Sequence, residues 1–155
     1  GLSAAMLLFG LCTVAGNLIG GYIVDKTDVN RSVMIGILGL GLNLAGLYLF
    51  NNSQFTMVLL IGLLGVSFFS TVTMLTIGLL KVAQRYVPGS TAVAAGLNIA
   101  SFNLGTALGG VLGSATIASG NLPLIPLAGA FVAGVAVLIL AVQMRRAKWE
   151  TEWMR

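Results

Sequence analysis

"GLNIASFNLGTALGGVLG", residues 96–113, holds five glycines and two asparagines in eighteen positions and no charge. In water each interior glycine costs a helix about 1 kcal/mol relative to alanine, so a soluble chain would make this stretch a loop. In a bilayer the same glycines let helices approach closely, and Gly105, Gly109 and Gly113 stand at the four-residue spacing of small-xxx-small contacts. The rest of the chain decides which solvent applies.

The 155 residues are 57% hydrophobic and 8% charged, with a mean hydropathy of +1.01, whereas soluble domains carry about 25% charged residues. Four acids and eight bases cannot cover a soluble fold of this length. The chain therefore reads as an all-α integral membrane protein. Apolar runs occupy residues 2–24, 32–50, 55–80, 87–118 and 122–144, and about 20 such residues cross the hydrocarbon layer as a helix. Barrel strands would alternate apolar and polar side chains, which these runs do not. Five transmembrane helices in one domain, residues 1–155, follow.

All eight Lys and Arg lie in three segments: Lys26 and Arg31, then Lys81 and Arg85, then Arg145, Arg146, Lys148 and Arg155. The connectors "NNSQ" (51–54) and "SGN" (119–121) carry no charge. With five spans the three basic segments share one side, which the positive-inside rule makes cytoplasmic. The expectation is a multi-pass protein of a cell (inner) membrane, with basic loops and C-terminus cytoplasmic. Residues 145–155 read as a cytoplasmic tail, Trp149 and Trp153 sharing a helical face that rests at the interface. Pro88 precedes the fourth span, and Pro123 and Pro126 fall in the first turns of the fifth, where a missing N–H costs least. The chain opens on Gly1 without an initiator Met and reads as part of a larger protein.

Several chemistries are excluded. There is no histidine and no acid pair inside a span, so neither a metal site nor hydrolytic catalysis is expected, and the chain is not an enzyme. No cofactor is called for, and the net charge of +4 reflects topology, not a nucleic-acid partner. Cys12 reads as a buried, inert thiol. Apart from cysteine and tyrosine the spans hold no ionisable side chain, so no intramembrane carboxylate for ion coupling is housed here.

Polar character inside the spans comes from amides, hydroxyls and glycine. Gly10, Thr13, Asn17 and Gly21 share one stripe of the first span, and Ser67, Ser70, Thr71, Met74 and Gly78 share one of the third. The third-span stripe reads as a substrate-cavity wall, unless its hydroxyls merely bond backbone carbonyls. An asparagine facing lipid has no partner for its amide. Asn17 and Asn103 are thus candidates for substrate contact, and Asn98, on the face of Gly105, Gly109 and Gly113, is a candidate for helix packing.

The loop "GGYIVDKTDVNRS", residues 20–32, resembles the G-x-x-x-D-(R/K)-x-G-(R/K)-(R/K) loop of the major facilitator superfamily. Gly21, Asp25, Lys26 and Arg31 match; Asp28 stands at the glycine position, Val29 replaces a basic residue, and Arg31 falls one place late. "AGLNIASFNLGTALGGVLG", residues 95–113, resembles the eleventh helix of bacterial drug:proton antiporters, among them arabinose-efflux-like and purine-efflux-like permeases. The resemblance implies helices eight to twelve of a twelve-helix transporter, working by alternating access between two halves. It implies that Asp25 meets a helix end of the missing N-terminal half and that the basic residues pair with acids, closing the cytoplasmic side. It makes the third span a cavity-lining tenth helix, and it places the proton carrier in the missing half, with the proton gradient as energy source. The implied partners are the bilayer, that half and a small solute (a drug, sugar or nucleobase-like compound), the full-length protein being a monomer. The competing expectations are an importer of the same superfamily and a membrane scaffold whose stripes serve only packing.

Overall fold

The computed structural model describes the backbone of residues 2–50 and 52–153, and their side chains except those of Leu2, Ala5 and residues 148–153. The expected interfacial face of Trp149 and Trp153 lies outside the described side chains. Five helices follow one another: α1 (Leu2–Lys26), α2 (Val29–Leu49), α3 (Gln54–Tyr86), α4 (Thr91–Ala118) and α5 (Leu124–Trp153). Each is long and apolar enough to cross a membrane, and the described residues contain no strand.

Local chemistry sets the ends. Val87-Pro88-Gly89-Ser90 forms a turn in which the Ser90 N–H donates to the Val87 carbonyl at 3.1 Å. Proline presets the second position, and Gly89, at φ +88°, takes the left-handed third, as a type II turn requires. The fourth helix therefore starts at Thr91, four residues later than its apolar run. Gly120, at φ +75°, terminates α4 in the same left-handed region. Beyond Gly134 the sequence holds neither glycine nor proline, so α5 continues through Arg145 and Arg146 without a break.

α3 is the central helix. α1 lies along it, α2 packs on it and on α5, and α4 touches it more lightly; the sequential pairs α1/α2 and α4/α5 barely meet. Between membrane helices the hydrophobic drive is weak, because lipid tails are as apolar as leucine, so close backbone approach holds the seams. A Cβ on Gly16 would lie 2.6 Å from the Val66 carbonyl oxygen, and one on Gly20 2.5 Å from that of Ser70. The Ser70 hydroxyl donates across this seam to the Gly16 carbonyl at 2.8 Å. In the α2/α3 seam Gly36 faces Thr71 and Met74, and Met74, Val24 and Val33 form the buried core where α1, α2 and α3 meet. The α2/α5 seam sets Gly41 against Ala133 and Gly129 against Leu44.

α4 differs. Every residue from Ile99 to Leu112 is exposed, and a Cβ on Gly105, Gly109 or Gly113 would meet nothing within 4 Å. Within this chain the four-residue glycine spacing is used for close contact by Gly16 and Gly20, and the longer series in α4 is left open.

Candidate functional site

α3 presents distinct faces to its neighbours. Val66 and Ser70 turn to α1, and Thr71, Met74 and Gly78 turn to α2. Phe69, Thr73 and Thr76 follow at steps of four and three residues, which places them on a further stripe. Asparagines reach this stripe from both sides. The Thr73 hydroxyl donates to Asn17 Oδ1 of α1 at 2.8 Å, and Asn98 Nδ2 of α4 donates to Thr76 Oγ1 at 3.1 Å. Two amide–hydroxyl rungs thus join α1 to α3 and α3 to α4 inside otherwise apolar helices, with Asn17 exposed and the other three side chains half-buried.

One turn nearer the uncharged end, aromatic rings bridge the same helices. Phe69 meets Phe9 of α1 with ring centres 6.1 Å apart, and Phe68 meets Phe102 of α4 at 6.1 Å. Phe68 and Phe69 lie 5.2 Å apart, edge to face, a geometry worth about 0.5–1.5 kcal/mol per pair beyond area burial. The α1–α3–α4 face therefore carries a row of rings beside a polar belt.

The third-span stripe is brought together elsewhere. Ser70 is 6% exposed, Thr71 5% and Met74 1%. Thr71 donates to the Ser67 carbonyl at 2.7 Å, so with Ser70 on Gly16 both buried hydroxyls bond backbone carbonyls, the alternative that the sequence left open. Burial thus places these three in the α1/α2/α3 seam and not on an open wall; a hydroxyl packed among apolar groups needs an acceptor, and the nearest carbonyl provides it. The open polar stripe is on another side of the same helix. Thr73 and Thr76 were not singled out from sequence, although two in-span asparagines needing partners pointed toward such hydroxyls. Asn103 is exposed on α4, on the same helix as Asn98 but away from the rungs. Among the described residues no three His, Cys, Asp or Glu side chains gather as metal ligands.

At the basic end, Lys81 Nζ of α3 reaches both Asp25 Oδ1 and the Val24 carbonyl of α1, each at 3.3 Å. It is the ion pair seen among the described residues, and it ties the last turn of α1, where carbonyls lack intrahelical donors, to α3. A cation there also suits the helix dipole. Lys26 sits over the Tyr22 ring at 5.9 Å. Arg31 is exposed, and a Cβ on Gly21 would meet nothing within 4 Å. Ser32, fully buried, donates to the Asp28 carbonyl at 3.0 Å and lies 3.4 Å from that of Ile23, holding the α1–α2 turn closed. Lys81 was missed from sequence because it is 56 residues from its partner. Both ionic groups are well exposed, so Lys81→Met is expected to shift unfolding free energy by no more than about 1 kcal/mol. Hydrogen exchange at the amides of residues 24–27 is expected to rise at least severalfold, and unchanged exchange would show that the tie has no local effect.

A family description of the Major Facilitator Superfamily matches residues 1–152. The chain is 30% identical over 146 residues to the "Inner membrane transport protein YdhP" of Escherichia coli K12, and equally to that of Escherichia coli O157:H7. Those alignments cover 94% of this chain and 36% of each relative, so the chain spans about a third of the length of the curated relatives it matches. No solved structure gives a significant match. With five apolar helices seamed by small residues, a polar belt on the open α1–α3–α4 face and a family match over nearly its whole length, the chain belongs to the major facilitator superfamily of membrane transporters.

Proposed function

We propose that the chain is the part of a twelve-helix transporter comprising helices eight to twelve, working by alternating access and exporting small solutes in exchange for protons. The observation that carries this reading is the open face on which Asn17, Thr73, Thr76 and Asn98 meet beside Phe69. A membrane protein gains little from polar side chains on an exposed face unless that face meets water, solute or another helix. In this reading Asn17 and the two threonines face the solute, while Ser67, Ser70, Thr71 and Met74 keep α3 in register behind them. The open glycines Gly105, Gly109 and Gly113 receive a helix from outside this chain. The basic connectors lie in the cytoplasm, and the energy source is the proton gradient, carried by groups outside these spans. Export, as opposed to import, rests on the likeness of residues 95–113 to the efflux permeases.

Asp25 is 73% exposed even while paired with Lys81, which leaves its second carboxylate oxygen free to meet a helix N-terminus of the other half. Such a contact is worth at most about 2 kcal/mol, enough to bias a rocking equilibrium and weak enough to break each cycle. In the full-length transporter reconstituted in proteoliposomes, Asp25→Asn is expected to lower solute flux about tenfold with unchanged protein content. Unchanged flux would remove Asp25 from the gate.

A further inference from the structure

We infer that Lys81 is a positioning residue of the gate, aiming the Asp25 carboxylate toward the other half of the transporter. The inference rests on the gating role proposed for Asp25 and adds the residue that controls it. Asp25 is an acid in an unfavourable place. It is the second-to-last residue of α1, where carbonyls without intrahelical donors make the helix end partially negative and disfavour a carboxylate. Its side chain is largely exposed, so packing does not fix its direction. The cations of its own loop do not fix it either. Lys26 lies over the Tyr22 ring, and Arg31 is exposed with no acid bonded to it among the described residues. The charge comes from α3: the Lys81 ammonium donates to Asp25 Oδ1 and to the Val24 carbonyl, each at 3.3 Å. One cation thus offsets the negative helix end and holds one carboxylate oxygen, so the other oxygen is the one presented outward.

The place of Lys81 is itself set by the fold. Met74, Gly78 and Lys81 follow at steps of four and three residues on one stripe of α3, and each meets the α1–α2 turn or its flanks. Met74 packs with Val24 and Val33. Gly78 seats Val29, whose Cγ1 lies 2.7 Å from where a Cβ on that glycine would stand. Ser32 closes the turn on the Asp28 carbonyl. These contacts hold the turn against α3 without Lys81, so loss of the ammonium frees the Asp25 side chain and the end of α1 while the turn keeps its place. An exposed pair adds little to stability, yet it acts on the gate, because a carboxylate biases the equilibrium through a helix end only while it points at that end.

The test reads opening of the gate without a solute. The full-length transporter, with Thr73→Cys as its only cysteine, is placed in vesicles that present the basic end to an uncharged, sugar-linked methanethiosulfonate unable to cross the bilayer. Thr73 lies on the stripe read as solute-facing, so its labelling rate rises with the fraction of molecules open on that side. Asp25→Asn is expected to speed labelling about tenfold and Lys81→Met about fivefold, within the usual span of conformational coupling. Lys81→Arg keeps the charge and offers donors to both oxygens, so its rate should stay within about twofold of that with lysine. The double variant Asp25→Asn/Lys81→Met should label at the Asp25→Asn rate, because Lys81 acts through that carboxylate, whereas a loss of helix packing would add in either background. If Asp25→Asn speeds labelling and Lys81→Met does not, or Lys81→Arg behaves as Lys81→Met, or the two effects multiply, Lys81 is removed from the gate while the role of Asp25 stands. If Asp25→Asn itself leaves the rate unchanged, the gating reading fails, and the inference with it.

Discussion

Gly20→Leu is expected to separate α1 from the bundle. A Cβ at this position lies 2.5 Å from the Ser70 carbonyl oxygen, 2.8 Å from its Cα and 3.1 Å from its carbonyl carbon. All three are backbone atoms of the central helix, so no rotamer change relieves the clash. Overpacking a close contact costs about 1–3 kcal/mol and occasionally more, and a leucine against an immobile backbone belongs at the upper end. Moving α1 outward also breaks the Ser70–Gly16 bond and the Asn17–Thr73 rung, at an average of about 0.6 kcal/mol for each interhelical bond in a membrane. The measurable result is loss of the monodisperse peak on size exclusion and rapid proteolysis of the α1–α2 connector. Gly109→Leu in the same chain is the control. Its Cβ meets nothing within 4 Å, so the melting transition should stay where it is. Equal damage from both variants would show that the α1/α3 seam is not the specific weak point.

Met74→Ala is expected to cost about 2 kcal/mol, the lower end of the range for Met→Ala in protein cores. Met74 is 1% exposed, packs with Val24 and Val33, and its sulfur lies 3.0 Å from a Cβ placed on Gly36. Truncation leaves a void where three helices converge. The transfer part of the usual penalty is reduced because the alternative environment is lipid, so the loss is chiefly of packing contacts. Solute flux per folded molecule of the full-length transporter should be unchanged, because Met74 lies on the α2 side of α3 and the rungs lie on another. Loss of flux without loss of stability would reverse that assignment and return the Ser67, Ser70, Thr71 and Met74 stripe to the solute-facing role read from sequence.

The membrane class and the five apolar helices were legible before any contact was known. Hydropathy runs mark the spans, and turn chemistry at Pro88-Gly89 and Gly120 marks the breaks. The candidate site was legible in half. Asn17 and Asn98 announce themselves because an amide in an apolar run needs a partner, yet nothing in the spacing identified Thr73 and Thr76 as those partners. Glycine spacing was the least informative signal. Gly16 and Gly20 share the four-residue step of Gly105, Gly109 and Gly113, but the first pair is pressed against backbone and the second series is open. Lys81 belongs to the same group of misses, since a lysine beside a basic connector reads as topology until Asp25 is found at 3.3 Å.

By itself, the sequence determined that this protein is a set of membrane-spanning helices, because partition between water and hydrocarbon depends on each segment and its solvent alone. Only the tertiary structure decided which stripe of α3 is buried, which glycines carry the seams and which hydroxyls meet the asparagines. The reason is physical. Within a bilayer, side chains facing lipid and side chains facing protein are equally apolar, so hydrophobic periodicity carries little information about facing. Orientation is set by shape and by hydrogen-bond partners on other helices, which exist as neighbours only once the helices have packed.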